Sequence, residues 1–522
     1  MSITDLFYLS PVIGLVFLGL VMLIVGLIAD RAPKGRLAHH LPPEGLALIC
    51  ITAPLMLSIT VLMWAVHRGP QAMFFSGGQG SNPLLVVDGF SAAIGVIATL
   101  GTLVVMLCSI EFFAKRRRHQ AEYYSLLLLA TGAVLLAASA TDFLTIYLSV
   151  ELLSLTSYVL AAYMKDDAKS SESGIKYFLF GAVSSAIMLY GISIIYGLTG
   201  STNLAEIAHG LTVGSYGAAA WIAAFFVLAG LGFKIALVPF HLWAPDVYEG
   251  APTPVTAFLS VVSKAAGLAV LTRVLLVAFP EVGVDWFTLM AVLAAVSMTF
   301  GNLVAIPQRS IKRMLAYSSI AQVGYIMVGI LAATRITGGF VSDGFTVAAG
   351  PNSFALTGLL IYIFSYLLMN LGAFAVVIAV EKRTGSDDIG NFNSLSQRAP
   401  LHAAALVVFF LSLVGIPPTA GFIGKLFIFG AAIQSAYPPL VWLAIIGVVN
   451  SVISLYYYFN VVRGMYFTKP ETDEPIFSTP VLKIAIVGLL VATIAVCIFV
   501  QPVIDVAQGA LSPYMQPLTI LR

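Results

Sequence analysis

Long apolar segments follow one another along almost the whole chain, separated by short polar stretches. An apolar window of about 20 residues is long enough for a helix to cross a bilayer. Fourteen such windows can be placed in the sequence, near 9–29, 45–66, 87–113, 121–139, 142–163, 174–197, 217–242, 253–279, 286–306, 313–333, 353–381, 401–436, 439–463 and 481–504. The pattern predicts an all-α polytopic membrane protein with about fourteen transmembrane helices.

Two of these windows contain interior prolines, and each also carries a lysine. The seventh holds Lys234 and then Pro239, and the twelfth holds Pro417, Pro418 and then Lys425. A proline inside a helix removes a backbone hydrogen bond and clashes with the preceding turn. We therefore expect helices 7 and 12 to be discontinuous, as in transporters that place loosened backbone near the bilayer midplane.

Weak internal similarity indicates a repeat. Residues 149–158 in the fifth window resemble 318–325 in the tenth, with Glu151 replaced by Ser318 in the second copy. The two proline-broken windows also run in opposite directions through the membrane. Because many transporters are built from inverted repeats, we expect an inverted repeat here.

The composition excludes a soluble globular protein. Of the 522 residues, 59% are hydrophobic and 10% are charged, and the mean hydropathy is +0.98. The net charge of +2 is small, and the sequence has no basic stripe typical of nucleic-acid binding. Cys50, Cys108 and Cys497 are too widely spaced for a metal or iron–sulfur motif. We therefore expect no metal or redox cofactor in this chain.

Positive charge is distributed unevenly between the loops, which indicates the topology. Lys and Arg gather on the cytoplasmic side of membrane proteins. The opposite loops of this chain hold only Arg68, Arg335 and Arg522. The basic loops are those with Arg31, Lys34 and Arg36; Lys115 to Arg118; Lys165 and Lys169; Arg309, Lys312 and Arg313; Lys382, Arg383 and Arg398; and Arg463, Lys469 and Lys483. With fourteen spans, both termini are expected on the outer side. The first window lacks the basic start of a cleaved signal peptide, so we expect it to be retained.

Ionisable residues inside the apolar windows are the strongest functional signal. A charged group near the bilayer centre costs about 2.5–3.5 kcal/mol on insertion scales, so such groups are rare and usually line an ion or proton pathway. The pattern therefore favours a transporter or pump. The residues are Glu151, Lys176, Lys234, Lys264, Arg273 and Lys425.

Glu151 and Lys234 are expected partners, because a carboxylate stabilises the charged form of a lysine buried in a helix bundle. Such a pair can switch between charged and neutral states. The alternative is a structural ion pair that ties two helices together. Lys264 lies near the middle of the eighth window, and Lys425 follows the break in the twelfth. Both are interpreted as groups that pass protons.

Four further charged or titratable residues can be explained by a structural role. Lys176 lies closer to the cytoplasmic end of its window, and it either serves the proton route or snorkels to the headgroups. His241 follows the Pro239 break and either shuttles protons or anchors a helix end. Arg273 is expected at the membrane interface. Asp88 is expected to be the N-cap of the third helix.

Four strings carry a resemblance to a known family. They are KIALVPFHLWAPDVYEGAPTPV from residue 234, SKAAG from 263, KRMLAYSSIAQ from 312 and GIPPTAGFIGK from 415. Over about residues 85–465 the chain resembles the antiporter-like, proton-pumping membrane subunits of respiratory complex I. It is most similar to the N-type subunits of bacterial NADH:quinone oxidoreductase, the counterparts of mitochondrial subunit 2. Fourteen spans without a long C-terminal lateral helix argue against the L type, and a lysine rather than a glutamate at 425 argues against the M type.

The resemblance implies two inverted five-helix repeats. The first repeat would cover 116–280 (helices 4–8) and the second 281–465 (helices 9–13), between an N-terminal three-helix extension at 1–115 and helix 14 at 466–522. The implied proton relay has Glu151 and Lys234 as its controlling ion pair, Lys264 as its centre and Lys425 as its exit-side group. Lys176, which matches a lysine of the family, and His241 complete this set.

The resemblance also implies a subunit of a proton-translocating enzyme that carries no redox centre of its own. NADH, FMN, iron–sulfur clusters and quinone would bind to partner subunits. The expected partners are the lipid bilayer and membrane-arm subunits of the M, L, K, J, A and H types, in the bacterial inner (plasma) membrane, with both termini periplasmic. The alternative is a subunit of an Mrp-type cation/proton antiporter, and a structural scaffold is a third possibility. The electron donor, whether NADH, ferredoxin or F420, is left open.

Overall fold

A computed structural model describes residues 3–31, 43–75, 83–113, 119–214, 217–279, 284–334, 352–435, 440–468 and 474–511. Within these ranges the chain forms α1 (Ile3–Arg31), α2 (Pro43–Arg68), β1 (Gln71–Phe75), β2 (Pro83–Val87), α3 (Gly89–Phe113), α4 (Gln120–Ser139), α5 (Phe143–Ala161), α6 (Ala168–Thr199), α7 (Leu204–Val213), α8 (Ala218–Ile235), α9 (Trp243–Gly250), α10 (Thr253–Phe258), α11 (Lys264–Arg273), α12 (Val284–Ala305), α13 (Ile311–Ala333), α14 (Ser353–Thr384), α15 (Leu395–Arg398), α16 (Pro400–Val414), α17 (Ala420–Gln434), α18 (Val441–Phe467), α19 (Pro480–Ile498) and α20 (Val500–Leu511).

The predicted all-α membrane fold is confirmed. In the described part of the chain, thirteen helical segments are long and apolar enough to cross a membrane. The remaining predicted span, at 401–436, consists of two short apolar helices, α16 and α17, separated by residues 415–419. Helix 12 is therefore discontinuous, as the prolines predict.

Helix 7 is also interrupted where the sequence predicts it. The helix α8 ends at Ile235, and Ala236 adopts a left-handed conformation with φ 60°. The indole N–H of Trp243 donates to the carbonyl of Phe233 (2.9 Å), and the N–H of Val238 donates to the Ser297 hydroxyl (3.0 Å). Backbone groups released by the break thus find partners inside the protein, which non-helical backbone at membrane depth requires.

Helix 8 has an irregularity that the sequence did not predict. Between α10 and α11 the chain forms a π-helical turn at Leu259–Ser263, and a second one follows at Val274–Ala278. Such turns insert an extra residue into the helix and are frequent at functional sites. Lys264 is the first residue after the first of these turns.

Three smaller elements were also not predicted. The strands β1 and β2 form an antiparallel hairpin, in which Gln71 pairs with Val87. The helix α7 lies between helices 6 and 7. The predicted last span at 481–504 is divided into α19 and α20. These elements are short, so apolar windows of transmembrane length do not reveal them.

The centre of the bundle is formed by α13 and α14, whose membrane-spanning windows are buried completely or almost completely. At the periphery, α1, α6 and α18 expose many large apolar side chains. A surface of this kind suits contact with lipid or with another membrane protein. The positions most remote from lipid are therefore on α13 and α14.

Several residues on which the predicted topology depends lie outside the described residues. These are Met1, Lys34, Arg36, Lys115, Arg116, Arg117, Arg118, Arg335, Lys469 and Arg522.

Candidate functional site

The first lysine site lies between α5, α6 and α8. Lys234 is 2% exposed, and its Nζ donates to the Ser154 hydroxyl at 3.0 Å. Glu151 lies almost one turn earlier on α5, is half-buried, and accepts a hydrogen bond from Ser185 of α6. Gly267 lets α11 approach α8 closely, since a Cβ on residue 267 would lie 3.2 Å from Cγ of Lys234.

The predicted ion pair between Glu151 and Lys234 is not a direct contact in this structure. Their charged atoms are not within 4.0 Å of each other, and each group instead binds a serine. Glu151 and Ser154 lie three residues apart and share one face of α5. A rotamer change of Lys234 could therefore exchange the hydroxyl of Ser154 for the carboxylate.

Lys264 lies between the two lysine sites and is 1% exposed. Its Nζ donates to the Ser319 hydroxyl and lies 3.4 Å from the Ser319 carbonyl oxygen, both on α13. The ammonium also lies 5.7 Å from the ring centroid of Tyr248. Among the described residues no carboxylate forms an ion pair with it. Only neutral groups hold this buried cation.

Polar atoms without a well-formed hydrogen bond accumulate around Lys264. The buried hydroxyl of Tyr177 lies near Ser263, and those of Tyr248 and Tyr366 lie near Ser319, but none of the three forms a hydrogen bond of good geometry among the described residues. The same holds for Oδ1 of Asn370. The Asn370 amide N–H donates to Ser260, one turn from Lys264, at 2.7 Å. Leaving a buried polar group unpaired costs about 1–3 kcal/mol, and ordered water usually occupies such positions. The surroundings of Lys264 therefore suit buried water.

The second lysine site lies at the break in helix 12. Lys425 is 4% exposed, and its Nζ donates to the carbonyls of Leu413 (3.1 Å) and Val414 (2.8 Å) and to the Ser451 hydroxyl (2.9 Å). The ring centroid of Tyr325 lies 4.0 Å from the ammonium. The predicted inward position of Lys425 beside a broken helix is confirmed.

The contacts of Lys425 have a clear physical basis. The last carbonyls of a helix lack intrahelical partners, and the C-terminal end of the helix dipole attracts a cation. The break that follows Val414 provides both at the end of α16. An aromatic face adds a cation–π attraction. Gly415 permits the turn, because it has φ +92° and a Cβ there would lie 2.9 Å from Cδ of Lys425.

Lys176 lies apart from the buried lysines. Its side chain is 38% exposed, and its Nζ binds Glu172 (2.8 Å) and Asp246 (2.7 Å). We call the group that it joins the surface ion cluster. The cluster comprises Lys169, Glu172, Lys176, Asp246, Glu249 and Arg313.

The surface ion cluster joins α6, α9 and α13. Arg313 donates to Asp246 (2.8 Å) and to Glu249 (3.0 Å). Burial alone would raise the pKa of Asp246, but the hydrogen bond from Lys176 and the charge of Arg313 outweigh it and hold this pKa below its ordinary value. Asp246 thus stays ionised at neutral pH, and the cluster connects the two halves of the chain at the surface.

Arg273, which was expected at the membrane interface, lies inside the protein at the level of two helix ends, the start of α3 and the end of α4. Its guanidinium is buried and forms an ion pair with Asp88 (3.0 Å), and it also donates to the Ala138 carbonyl (2.9 Å). Asp88 caps α3 as predicted, since it accepts from the N–H of Ser91 (2.8 Å). Position within a helix could not reveal Arg273's partner, because the carboxylate lies 185 residues away.

His241 is buried in the break of helix 7. Its ring packs edge-on against Phe300, with the ring centroids 4.7 Å apart. In the described part of the chain, no hydrogen bond connects it to Lys234, Lys264 or Lys425. The structure therefore brings His241 close to the first lysine site without joining it to a lysine.

The sequence did not identify the hydroxyl partners of the three lysines, which are Ser154, Ser319 and Ser451. Serines in membrane helices commonly bond the carbonyl four residues earlier, as Ser154 also does with Val150 (2.7 Å). A serine next to a lysine therefore looks like any other serine in the sequence. No group of three or more His, Cys, Asp or Glu suited to a metal occurs among the residues that the structure describes.

Comparison with known proteins places these features in a family. Residues 140–454 match the family described as NADH:quinone oxidoreductase/Mrp antiporter, transmembrane. The subunit N of NADH-quinone oxidoreductase from Heliobacterium modesticaldum is 43% identical over 441 residues, which is 84% of this chain and 88% of the relative. The subunit N from Desulfitobacterium hafniense is 40% identical over 510 residues, 97% and 98% of the two chains.

Solved structures show the same architecture. A chain of respiratory complex I from Thermus thermophilus with bound aureothin is 30% identical, with a TM-score of 0.75 over 96% of this chain and 100% of that chain. A chain of the Mrp complex from a Dietzia species has a TM-score of 0.82 and 22% identity, over 100% and 99% of the two chains. At that identity the second likeness concerns the fold alone.

Proposed function

Since the chain belongs to the NADH:quinone oxidoreductase/Mrp antiporter family and, within it, to the N subunits of NADH-quinone oxidoreductase, we propose that it moves protons across the membrane along three buried lysines. It is an antiporter-like membrane subunit of a redox-driven NADH:quinone oxidoreductase. The observation that carries the proposal is that Lys234, Lys264 and Lys425 are buried and are held by neutral oxygen atoms.

A lysine in such a site can change its protonation state during turnover, because burial makes the charge of an ammonium easy to lose. Glu151 controls the first site: when Lys234 turns from Ser154 to the carboxylate, its charged form is stabilised, and when it turns back, the proton can leave. Lys264 receives the proton, with water at the unpaired polar atoms around it as the connection. Lys425 passes the proton to the outer side.

The two lysine sites belong to two inverted repeats, which we place at 116–280 and 281–465, after an extension at 1–115 and before a last segment at 466–522. Lys234 precedes the break in helix 7, and Lys425 follows the break in helix 12. The structure offers Lys176 and His241 no direct contact with this route, so we assign Lys176 to the surface ion cluster and His241 to the packing of the break.

We further propose that the protein is an inner-membrane protein of a bacterium with both termini on the periplasmic side. Its partners are then the other membrane-arm subunits of the complex. The FMN, the iron–sulfur clusters, NADH and the quinone bind to partner subunits, so the chemistry left to this chain is proton transfer.

The competing function is that of a subunit in an Mrp-type antiporter, which the fold likeness to the Dietzia complex favours. The likeness in sequence favours the oxidoreductase, because relatives that cover most of this chain are subunit N proteins at about 40% identity. Both functions would use the same buried lysines, so the partners decide between them.

Purification of the tagged chain in mild detergent tests this function. We expect iron–sulfur and quinone-site subunits to co-purify, and we expect the reconstituted complex to acidify or alkalise the proteoliposome lumen when NADH reduces quinone. Co-purification with other antiporter subunits and without iron–sulfur proteins, together with cation/proton exchange without NADH, would support the Mrp function instead.

A further inference from the structure

The central helix α13 contacts the surroundings of both Lys264 and Lys425. Ser319 binds the Lys264 ammonium, and Gln322, three residues later, binds the backbone next to Lys425. The Gln322 amide donates from Nε2 to the Leu413 carbonyl at 3.0 Å, and Lys425 donates to the same carbonyl at 3.1 Å. One acceptor therefore serves both the glutamine and the lysine.

The Leu413 carbonyl is available because α16 ends one residue later. The N–H groups of Gly415 and Ile416, which follow the helix, both turn back to the Leu411 carbonyl instead. A carbonyl oxygen has two lone pairs, and a helix end leaves its last carbonyls without intrahelical partners. The two lone pairs of Leu413 can thus accept from Gln322 and from Lys425 together.

The orientation of Gln322 is fixed from its other side. The Tyr362 hydroxyl of α14 donates to Oε1 of Gln322. The amide must then present its NH₂ group to Leu413, because its oxygen is already engaged. Tyr362 also packs against the lysine helix, since a Cβ on Gly424 would lie 2.3 Å from the Tyr362 ring. Gln322 is 1% exposed, so water does not compete for these bonds.

We propose that Gln322 is a positioning residue for proton transfer at Lys425. When Lys425 is charged, the Leu413 carbonyl holds its ammonium. When Lys425 is neutral and binds more weakly, Gln322 keeps the carbonyl bonded, so the end of α16 stays in place and is ready to receive the next proton. The inference rests on the proposed exit role of Lys425 and adds the residue that keeps its acceptor fixed.

The groups around Lys425 leave few other sources of pH dependence. The titratable side chains at the site are tyrosines. Tyr325 on α13 lies against the Lys425 ammonium, Tyr362 on α14 packs against Gly424, and Tyr458 on α18 bonds Ser318. The charged residues on the helices packed around α17 lie near the helix ends. They are Lys312 and Arg313 on α13, Glu381, Lys382 and Arg383 on α14, His402 on α16, Arg463 on α18 and Lys483 on α19.

The test uses the intact complex in proteoliposomes and measures protons moved per electron as a function of pH. Gln322→Met keeps the side-chain length and removes both hydrogen bonds. We expect its pumping to fall off at a lower pH than that of the unaltered complex, by up to about one pH unit, since the neutral amide–carbonyl hydrogen bond that is lost is worth at most about that much. Tyr362→Phe removes only the hydrogen bond that orients the Gln322 amide, so it should shift the pH profile less. The double variant should match Gln322→Met.

Gln308→Met is the matched control, because Gln308 also donates to a backbone carbonyl, that of Val304 at 2.8 Å, but forms no hydrogen bond with a lysine in the described part of the chain. Its pH profile should be unchanged. Three outcomes would overturn the inference. Gln322→Met could lose pumping equally at every pH, it could leave the pH profile unchanged, or its effect could add to that of Tyr362→Phe. Lys425→Ala is measured alongside: normal pumping in that variant would refute the exit role itself, whereas loss there with an unshifted Gln322→Met profile refutes only the positioning role.

Discussion

The two lysine sites beside the helix breaks are built from different acceptors. At the first site, the hydrogen-bond partner of Lys234 among the described residues is the Ser154 hydroxyl of α5. The Glu151 carboxylate lies almost one turn earlier on α5. At the second site, Lys425 has two helix-end carbonyls, a hydroxyl and an aromatic face. In the proposed repeat, Glu151 corresponds to Ser318, which bonds the Tyr458 hydroxyl at 2.5 Å.

This difference separates a site that can switch from a site that is fixed. At the first site, the rotamer of Lys234 decides whether its ammonium contacts the Glu151 carboxylate, which stabilises the charge, or the Ser154 hydroxyl. The acceptors at the second site are backbone atoms, which cannot move away without refolding the end of α16. We infer that control of the proton lies at Glu151 and that the Lys425 site is preorganised.

The buried ion pair of Arg273 and Asp88 provides a third case for comparison. Its two groups are in direct contact, and both also bind backbone groups. A pair held in this way suits a structural role. Direct and multiple contacts thus distinguish a structural pair from the separated Glu151 and Lys234.

The largest effect on pumping is expected from Lys264→Ala, because we propose that this residue connects the two sites. Protons moved per electron should fall by the whole share that this chain contributes, while the complex remains assembled. Lys264→Arg should be milder, although a guanidinium that is almost always protonated passes protons poorly. A pumping ratio in Lys264→Ala equal to that of the unaltered complex would show that the two sites do not share one route.

Arg273→Leu tests whether the direct pair is structural. It leaves the buried Asp88 carboxylate without the Arg273 guanidinium, and breaking such a pair costs about 3–5 kcal/mol. We expect less assembled complex and a lower melting temperature, with normal pumping per electron in what assembles. Adding Asp88→Asn, which keeps the cap on α3 without the charge, should restore part of the stability. Loss of pumping in a fully assembled Arg273→Leu complex would contradict this assignment.

Gly415→Ala tests whether the second site depends on its fixed backbone. The left-handed φ would strain an alanine by about 1–2 kcal/mol, and the new Cβ would press on Lys425. Gly385→Ala is the matched control, since Gly385 has φ +73° and open space around it. We expect both variants to lose some stability and only Gly415→Ala to lose pumping, by several-fold. Equal pumping in the two variants would argue against a preorganised carbonyl site.

The smallest effect is expected from Lys176→Ala. Partly exposed ion pairs contribute about 0.2–1 kcal/mol, so pumping should stay within about twofold of normal. Because the pKa of Asp246 is held below its ordinary value, the cluster's contribution to stability is present at neutral pH and is lost as the pH falls through that lowered pKa. The difference in melting temperature should therefore shrink in acid. If Lys176→Ala lost as much pumping as Lys264→Ala, Lys176 would have to be assigned to the proton route.

Much of the fold could be predicted because a membrane-spanning helix needs a long apolar window, and because interior prolines mark a break. The lysines could be predicted because charge is costly in an apolar window. By contrast, the π-helical turn before Lys264 has no proline or glycine signal within Leu259–Ser263. The groups that bind the charged side chains also could not be predicted, since they depend on which helices pack together.

Arg273 illustrates this limit. Its place near the end of a helix favoured the interface, whereas packing pairs it inside the protein with Asp88, the residue just before α3. Lys425 illustrates the opposite case, because its acceptors are local and lie within about a dozen residues, at Leu413 and Val414. The position of Lys425 could be predicted because it depends on a break nearby in the chain, whereas the partner of Arg273 is distant in the sequence.

The most direct test of the difference between the two sites is the number of protons moved per electron in proteoliposomes that carry Glu151→Gln or Ser318→Ala. Both changes remove the polar group at matching positions of the two halves, and both keep the helix intact. We predict that Glu151→Gln lowers the ratio by the whole share that this chain contributes and that Ser318→Ala leaves it unchanged. An equal ratio in the two variants, whether normal or reduced, would contradict the assignment of control to Glu151.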